Sequence, residues 1–220
     1  MSNAFQNELK KEFQLERMIL FSDAVFAIAI TLLALEIKVP EVAKDLVSDH
    51  LLAEKLAELI PKFVGFIVSF LVIAIYWVVH HRTFGYVINY NPRLLWLNLF
   101  FLLAVILMPF SSGFYSVYLL TPAARLPVII YVINIVFLGT MSLIIWEYIA
   151  NPKHRLSEGI TQEMKKYFRF RAVVPPVAFI LTATIYLFVK KEIAVWMPLL
   201  IPVFMRIIKK FFLKPQSKTK

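Results

Sequence analysis

The sequence predicts an all-α integral membrane protein with six transmembrane helices. Of its 220 residues, 60% are hydrophobic and the mean hydropathy is +0.73, whereas soluble domains average about 45–50% apolar residues. The apolar residues fall into runs of about 20, the length that crosses a bilayer as a helix. Because such surface is stable only against lipid or protein, the lipid bilayer is the first expected partner.

Each predicted span is bounded by polar residues or by helix-stopping Pro and Gly. The six spans cover residues 17–39, 60–81, 93–109, 128–149, 172–189 and 193–212. The first closes before Pro40, and an acidic amphipathic stretch leads into the second. The third is predicted to end in the segment Pro109–Gly113, because Pro and Gly stop helices. Residues 116–127 are then predicted to form a loop or an interfacial element.

The last three spans are marked by proline. Asn151-Pro152 closes the fourth, and Pro175-Pro176 lies at the predicted first turn of the fifth, where proline is tolerated. Two prolines inside the sixth predict a bend. The predicted organisation is an N-terminal interfacial segment (1–16), a six-helix domain (17–213) and a basic tail (214–220).

The distribution of positive charge predicts the orientation. The formal net charge is +10, and 17 of the 24 Lys and Arg residues lie on the side that carries both termini if there are six spans. By the positive-inside rule both termini are cytoplasmic. Because these charges flank apolar spans, anionic lipid explains them, and we expect no nucleic-acid partner.

The inventory of reactive side chains argues against an enzyme. There are no cysteines, which excludes disulfides and thiolate chemistry. Three of the four histidines, His50, His81 and His154, lie in predicted loops or at span ends, and adjacent His80 and His81 point about 100° apart on a helix. We therefore expect neither catalytic residues nor a resident metal or cofactor.

The first span is the most informative stretch. It begins Arg17-Met-Ile-Leu-Phe21-Ser22-Asp23 and is then almost wholly apolar. A carboxylate in mid-bilayer costs about 2.5 kcal/mol or more, so Asp23 should find partners, of which Arg17 and Ser22 are nearest. Further along, Ile28, Thr31 and Leu35 share one helix face.

These residues resemble a known family. Arg17-x-x-x-Phe21-Ser22-Asp23 matches the signature of the TMEM175 potassium-channel family, and Trp77-x-x-His80 is similar to a second segment of that family. The resemblance implies a homotetramer of six-helix subunits whose first helices line a central pore. Counted from the matched Asp, Ile28 falls on the constriction, Thr31 on a polar selectivity layer and Leu35 on a second aliphatic ring.

The function that the resemblance implies is a potassium-permeable cation channel of the bacterial plasma membrane. Protons are a second candidate ion, and K⁺ near Ile28 and Thr31 would be permeant rather than bound as a cofactor. The alternative is a secondary transporter for a small cation or solute. Transporters are commonly built from internal repeats, and none stands out here.

Less specific interpretations of the same residues stay open from sequence alone. Aliphatic stripes on membrane helices often face lipid, and Ser22 or Asp23 could simply cap a helix. Two interpretations of Trp77 and His80 are equally consistent with the sequence. They could be an interfacial Trp beside a solvated His, or they could form a hydrogen-bonded network with the Arg17–Asp23 motif. Three isolated polar residues in apolar spans are predicted to bond across helices: Asn98, Asn134 and Glu147.

Overall fold

The described part of the chain is all-helical. The structure is a computed structural model that describes residues 3–118, 121, 124–188, 203, 206 and 210, with the backbone alone for residues 3–11. It contains seven α-helices, which are α1 (Asn3–Leu35), α2 (Asp49–Glu58), α3 (Ile60–Phe84), α4 (Pro92–Ile106), α5 (Met108–Tyr118), α6 (Leu126–Ile149) and α7 (Gln162–Phe188).

Five described stretches are long and apolar enough to cross a membrane. They are Glu12–Leu35, Ile60–Phe84, Pro92–Tyr118, Leu126–Ile149 and Gln162–Phe188. The second and fourth match the predicted spans within three residues. The first helix ends at Leu35, four residues before the predicted end, and it is continuous with the segment predicted to be a separate interfacial element. The predicted sixth span and the basic tail lie outside the described residues, apart from three isolated positions.

The third span does not stop at Pro109 as predicted. A break at Leu107 separates α4 from α5, and α5 then continues through Pro109 and Gly113 to Tyr118, which removes the start of the predicted loop. Pro109 is the second residue of α5, and proline is tolerated in the first turn of a helix. At the break just before it, the carboxamide of Asn134 on α6 donates to the Ala104 carbonyl and accepts from the Met108 amide, each at 3.2 Å.

The fifth span begins ten residues earlier than predicted. Pro175 and Pro176 therefore lie inside α7 rather than in its first turn. Pro176 cannot donate to the Ala172 carbonyl four residues before it, and the Tyr76 hydroxyl on α3 donates to that oxygen instead, at 3.3 Å. Gly139 on α6 leaves room for the Pro176 ring, because a Cβ at that position would overlap it. Neighbouring helices thus stabilise a proline-containing helix.

α1 packs on one side of the described helices. It contacts α3, α4 and α5, while α6 packs against α4, α5 and α7. Only 28% of the most apolar part of the first span is buried, against 44–50% in the other four spans. Among the five described spans, the first therefore leaves the largest fraction exposed to lipid or to another subunit.

Short capped segments connect the spans. Ser48 caps α2 by accepting from the Leu51 amide, and Asn91 caps α4 by accepting from the Leu94 amide at 2.8 Å. The α3–α4 loop is joined to the loop before α7 by a bond from the Ile88 amide to the Leu156 carbonyl. These contacts fix the ends of α3 and α4, the two helices that flank α1.

Candidate functional site

The membrane part of α1 has one buried and one exposed face. The buried face packs on α3, α4 and α5 and comprises Met18, Ser22, Phe26, Ala29 and Leu33. The exposed face lies opposite and comprises Arg17, Phe21, Ala24, Ile28, Thr31 and Leu35. The predicted pore residues therefore point away from the protomer, and the predicted motif is divided between the two faces.

Three buried polar side chains join α1, α4 and α3 in one hydrogen-bonded relay. The Ser22 hydroxyl donates to the Met18 carbonyl, and Asn98 Nδ2 donates to Ser22 Oγ, both at 2.8 Å. Asn98 Oδ1 then accepts from His80 Nε2, also at 2.8 Å. Because the Asn98 amide nitrogen is used toward Ser22, its oxygen faces His80, which places a proton on Nε2. We refer to Ser22, Asn98 and His80 as the relay.

His80 is enclosed by aromatic rings. It stacks on Phe84 and Phe101 at centroid distances of 4.2 and 5.3 Å, and Phe26 of α1 lies 5.7 Å away. The side chain is 4% exposed, and its Nδ1 has no hydrogen-bond partner among the described residues. The interpretation of His80 as a solvated interfacial residue is wrong, since the packing of α1 and α4 covers it.

A second polar contact ties α1 to α3. The Trp77 indole donates to Asp23 Oδ1 at 2.9 Å, and the Trp77 ring lies 5.6 Å from His81. Trp77 is 39% exposed, so this contact lies at the edge of the protomer. Arg17, which the sequence suggested as a partner of Asp23, forms no ion pair among the described side chains, and its guanidinium instead lies 5.8 Å from the Phe13 ring.

The three predicted pore residues form an aliphatic–hydroxyl–aliphatic ladder on the exposed face. Ile28 is 59% and Leu35 72% exposed, and they are separated by about 10 Å along the helix, with Thr31 between them. The Thr31 hydroxyl donates to the Ile28 carbonyl at 2.8 Å. Its hydrogen is therefore used within α1, while the lone pairs of Oγ1 remain free to accept or to coordinate a cation.

The polar residues predicted to bond across helices all do so. Asn98 bonds to α1 and α3, Asn134 bonds at the α4–α5 break, and Glu147 on α6 accepts from Arg169 on α7 at 2.7 Å. The sequence did not identify Asn98 as the link between Ser22 and His80. The available signal was its isolation in an apolar span, because a buried amide needs partners.

No alternative site chemistry is visible in this part of the chain. Within the described residues, no three His, Asp or Glu side chains approach closely enough to hold a metal ion. The relay contains no acidic residue, and its only titratable group is buried. The arrangement can position α1 and expose one face of it, but it offers no converging nucleophile and acid–base pair.

Comparisons with known proteins identify relatives of this chain. The family model described as "Endosomal/lysosomal potassium channel TMEM175" matches residues 17–109, and so begins at Arg17. The potassium channel Cha6605_3372 of Chamaesiphon minutus is 32% identical, over 80% of this chain and 87% of that protein. The potassium channel B446_29190 of Streptomyces collinus is also 32% identical, over 74% and 77% of the two chains.

More distant and structural relatives belong to the same group. The human endosomal/lysosomal proton channel TMEM175 is 24% identical over 72% of this chain, which spans only 30% of the human protein. The crystal structure described as a lysosomal potassium-selective channel TMEM175 homolog from Chamaesiphon minutus superposes with a TM-score of 0.72 at 27% identity, over 88% of this chain and 97% of that one. The chain belongs to the TMEM175 channel family.

Proposed function

We propose that the chain is one subunit of a potassium-permeable cation channel, with protons as a second candidate ion. Two relatives that it matches over most of their length are named potassium channels, and the more distant human relative is named a proton channel. Membership of a channel family also argues against an enzyme. The observation that carries the proposal is the exposed Ile28–Thr31–Leu35 ladder on the least buried span.

The ladder needs further subunits to form a pore. One helix cannot surround an ion path, and a single chain presents only one copy of the ladder. Closed cyclic symmetry would bring several copies around a common axis. We propose a homotetramer, following the family resemblance, with six spans per subunit and both termini in the cytoplasm of a bacterial cell.

The chemistry of the ladder supports a hydrophobic gate. Rings of Ile28 and Leu35 would narrow the path with apolar surface, which excludes water and with it hydrated ions. The Thr31 ring between them would offer up to four oxygen ligands to a cation that has lost part of its hydration shell. K⁺ is the permeant ion in this scheme, and no cofactor takes part.

The relay and the Asp23–Trp77 bond take a structural role in this proposal. Together they fix α1 to α3 and α4 at Ser22 and Asp23, which lie about 7 to 9 Å below Ile28 along the helix. Asp23 is bound to an indole at the edge of the protomer rather than directed along the ladder. We therefore assign it to the support of the pore helix and not to ion binding.

The proposal predicts that Ile28→Asn raises K⁺ flux. A polar ring at the constriction would hold water and remove the apolar barrier. Flux would be measured with purified protein in liposomes under a potassium gradient, with sodium, caesium and a proton ionophore in parallel. Ile133→Asn, which makes the same change at an α6 residue that is 61% exposed, is the matched control and should leave flux unchanged.

Two outcomes would count against the proposal. Equal flux in the wild type and Ile28→Asn would remove Ile28 from the constriction. Flux that appears only with a coupled proton or sodium gradient would favour the secondary transporter over the channel.

A further inference from the structure

An apolar stripe runs along α2 and α3 on the surface of the protomer. At Leu59, between the two helices, the backbone keeps right-handed helical angles (φ −84°, ψ −7°), and the Phe63 amide donates to the Leu59 carbonyl at 3.0 Å. α3 therefore continues α2 with only a modest bend. The residues of the stripe repeat at alternating steps of three and four and are all apolar: Ala53, Leu56, Ile60, Phe63, Ile67, Phe70, Ala74 and Trp77. We refer to these residues as the seam.

The spacing of the seam is the heptad repeat of packed helices. Its six large side chains are 39–59% exposed. The charged residues Glu54, Lys55 and Glu58 lie on the opposite side of α2, and Lys55 and Glu58 form an ion pair at 2.8 Å. An apolar heptad line with charges opposite is typical of a helix that packs on another helix.

Lipid can cover only part of the seam. α3 has 25 residues, so it is about 37 Å long and already exceeds the hydrocarbon core of about 30 Å. α2 precedes it, and four of its ten residues are charged, so Leu56 lies outside the hydrocarbon core. The seam thus passes from the membrane into water without a change in character. A protein surface accounts for both parts, whereas lipid accounts for one.

The seam borders the exposed face of α1. Trp77, its last residue, donates to Asp23 of α1, whereas Phe21 of α1 and Leu95 of α4 line a common groove. Residues two apart on a helix point about 200° apart, so α3 and α4 border the exposed face of α1 on opposite sides. A closed ring of identical subunits joins two different surfaces. The α3 side of one subunit would therefore meet the α4 side of the next.

We propose that the seam binds a second copy of this chain, along the α4 side of that copy's α1. The inference rests on the proposed channel, because it takes the exposed face of α1 as the lining of a path shared by several subunits. It concerns the contact between subunits and not the passage of ions, so the oligomeric state tests it separately from flux. Apolar burial in water and close side-chain packing in the membrane would hold the contact.

Leu56→Lys tests the part of the seam that lies in water. Native mass spectrometry of the purified protein in detergent, over a range of protein concentrations, would give the association constant of the subunits. We expect this constant to fall at least about tenfold, because a lysine in the contact is a buried charge without a partner. Leu46→Lys is the matched control, since it makes the same change at a loop leucine that is 64% exposed, and it should assemble as the wild type does.

Ile67→Ala tests the membrane part of the seam without a change in charge, and it covers the case in which Leu56→Lys does not fold. We expect the association constant to fall about fivefold. Ile180→Ala on α7 is its control, because Ile180 is 46% and Ile67 48% exposed, and it should leave assembly unchanged. Thermal unfolding midpoints equal to that of the wild type would separate lost assembly from lost folding.

The outcomes distinguish this proposal from the channel itself. Wild-type association constants in both Leu56→Lys and Ile67→Ala would overturn the seam, even if the wild type conducts K⁺. Weakened assembly in both variants would support the seam, even if the wild type shows no flux. A wild type that is monomeric at every concentration would overturn both the seam and the homotetramer.

Discussion

The two halves of the first span are held in different ways. The first half is fixed by polar contacts to two other helices, through Ser22 to Asn98 and through Asp23 to Trp77. In the second half, the Thr31 hydroxyl bonds only within α1, and Ala29 and Leu33 pack through apolar contacts. Polar bonds between helices fix register, whereas apolar packing tolerates small shifts. The difference indicates that α1 is anchored at one end and adjustable at the other.

Glu36 marks the far end of the second half. Its carboxylate packs directly on Gly113 of α5, so closely that a Cβ at Gly113 would overlap it. No hydrogen bond accompanies this contact among the described residues. The ladder therefore lies between the hydrogen bonds of Ser22 and Asp23 at one end and the packing contact of Glu36 with Gly113 at the other.

The largest effect on stability is expected from Asn98→Leu in the anchored half. The substitution leaves Ser22 and His80 buried without their shared partner, and we expect it to cost about 2 kcal/mol. The measurement is the midpoint of thermal unfolding in detergent, together with the yield of monodisperse protein. Thr184→Val is the control, because its hydroxyl bonds only to the Ile180 carbonyl of its own helix. Equal midpoints for the two variants would show that the relay does not anchor the first half of α1.

Asp23 allows charge and hydrogen bonding to be separated. Asp23→Asn retains an oxygen that accepts from the Trp77 indole, while Asp23→Ala removes it. We expect Asp23→Ala to lower stability by about 1 kcal/mol and to reduce assembly, with Asp23→Asn close to the wild type in stability and ion preference. Altered ion preference in a normally assembled Asp23→Asn protein would instead assign Asp23 to ion binding.

The smallest effect on stability is expected from Thr31→Val in the second half. Thr and Val side chains have almost the same shape, and the lost hydrogen bond lies within α1. The free energy of unfolding should therefore change by less than about 0.5 kcal/mol. The ratio of K⁺ to Na⁺ flux should fall, because the ring loses its oxygen ligands. An unchanged ratio would remove Thr31 from the selectivity layer, and a large loss of stability would contradict the contrast between the halves.

Hydropathy predicted the spans whose boundaries are set locally. The second and fourth spans end where apolar runs meet charged or capping residues, and those rules act within a few residues. The predictions failed at proline. Pro176 lies inside α7 because Tyr76 donates to the Ala172 carbonyl that it leaves free, and Asn134 bonds to the backbone at the α4–α5 break just before Pro109. These partners come from other helices, and a local rule for helix stops cannot include them.

The candidate site was also only partly predictable. The sequence could identify four site residues, because polar side chains in apolar spans need partners and the family motif includes them: Ser22, Asp23, Trp77 and His80. Their pairing could not be derived, since Ser22 and Asn98 are 76 residues apart and meet only through the packing of α1 on α4. The exposure of the ladder likewise depends on which face of α1 the other helices cover.

The central claim is that the exposed face of α1 lines a water-filled ion path. The chain contains no cysteine, so single cysteines can be introduced at Ile28, Thr31 and Leu35 without background. A cationic, membrane-impermeant thiol reagent reacts only with thiolate in water. The account predicts that the reagent blocks K⁺ flux at Thr31→Cys and Leu35→Cys, and at Ile28→Cys when the channel conducts, but not at Ile133→Cys. Equal reactivity at all four positions, or none at the three on α1, would contradict it.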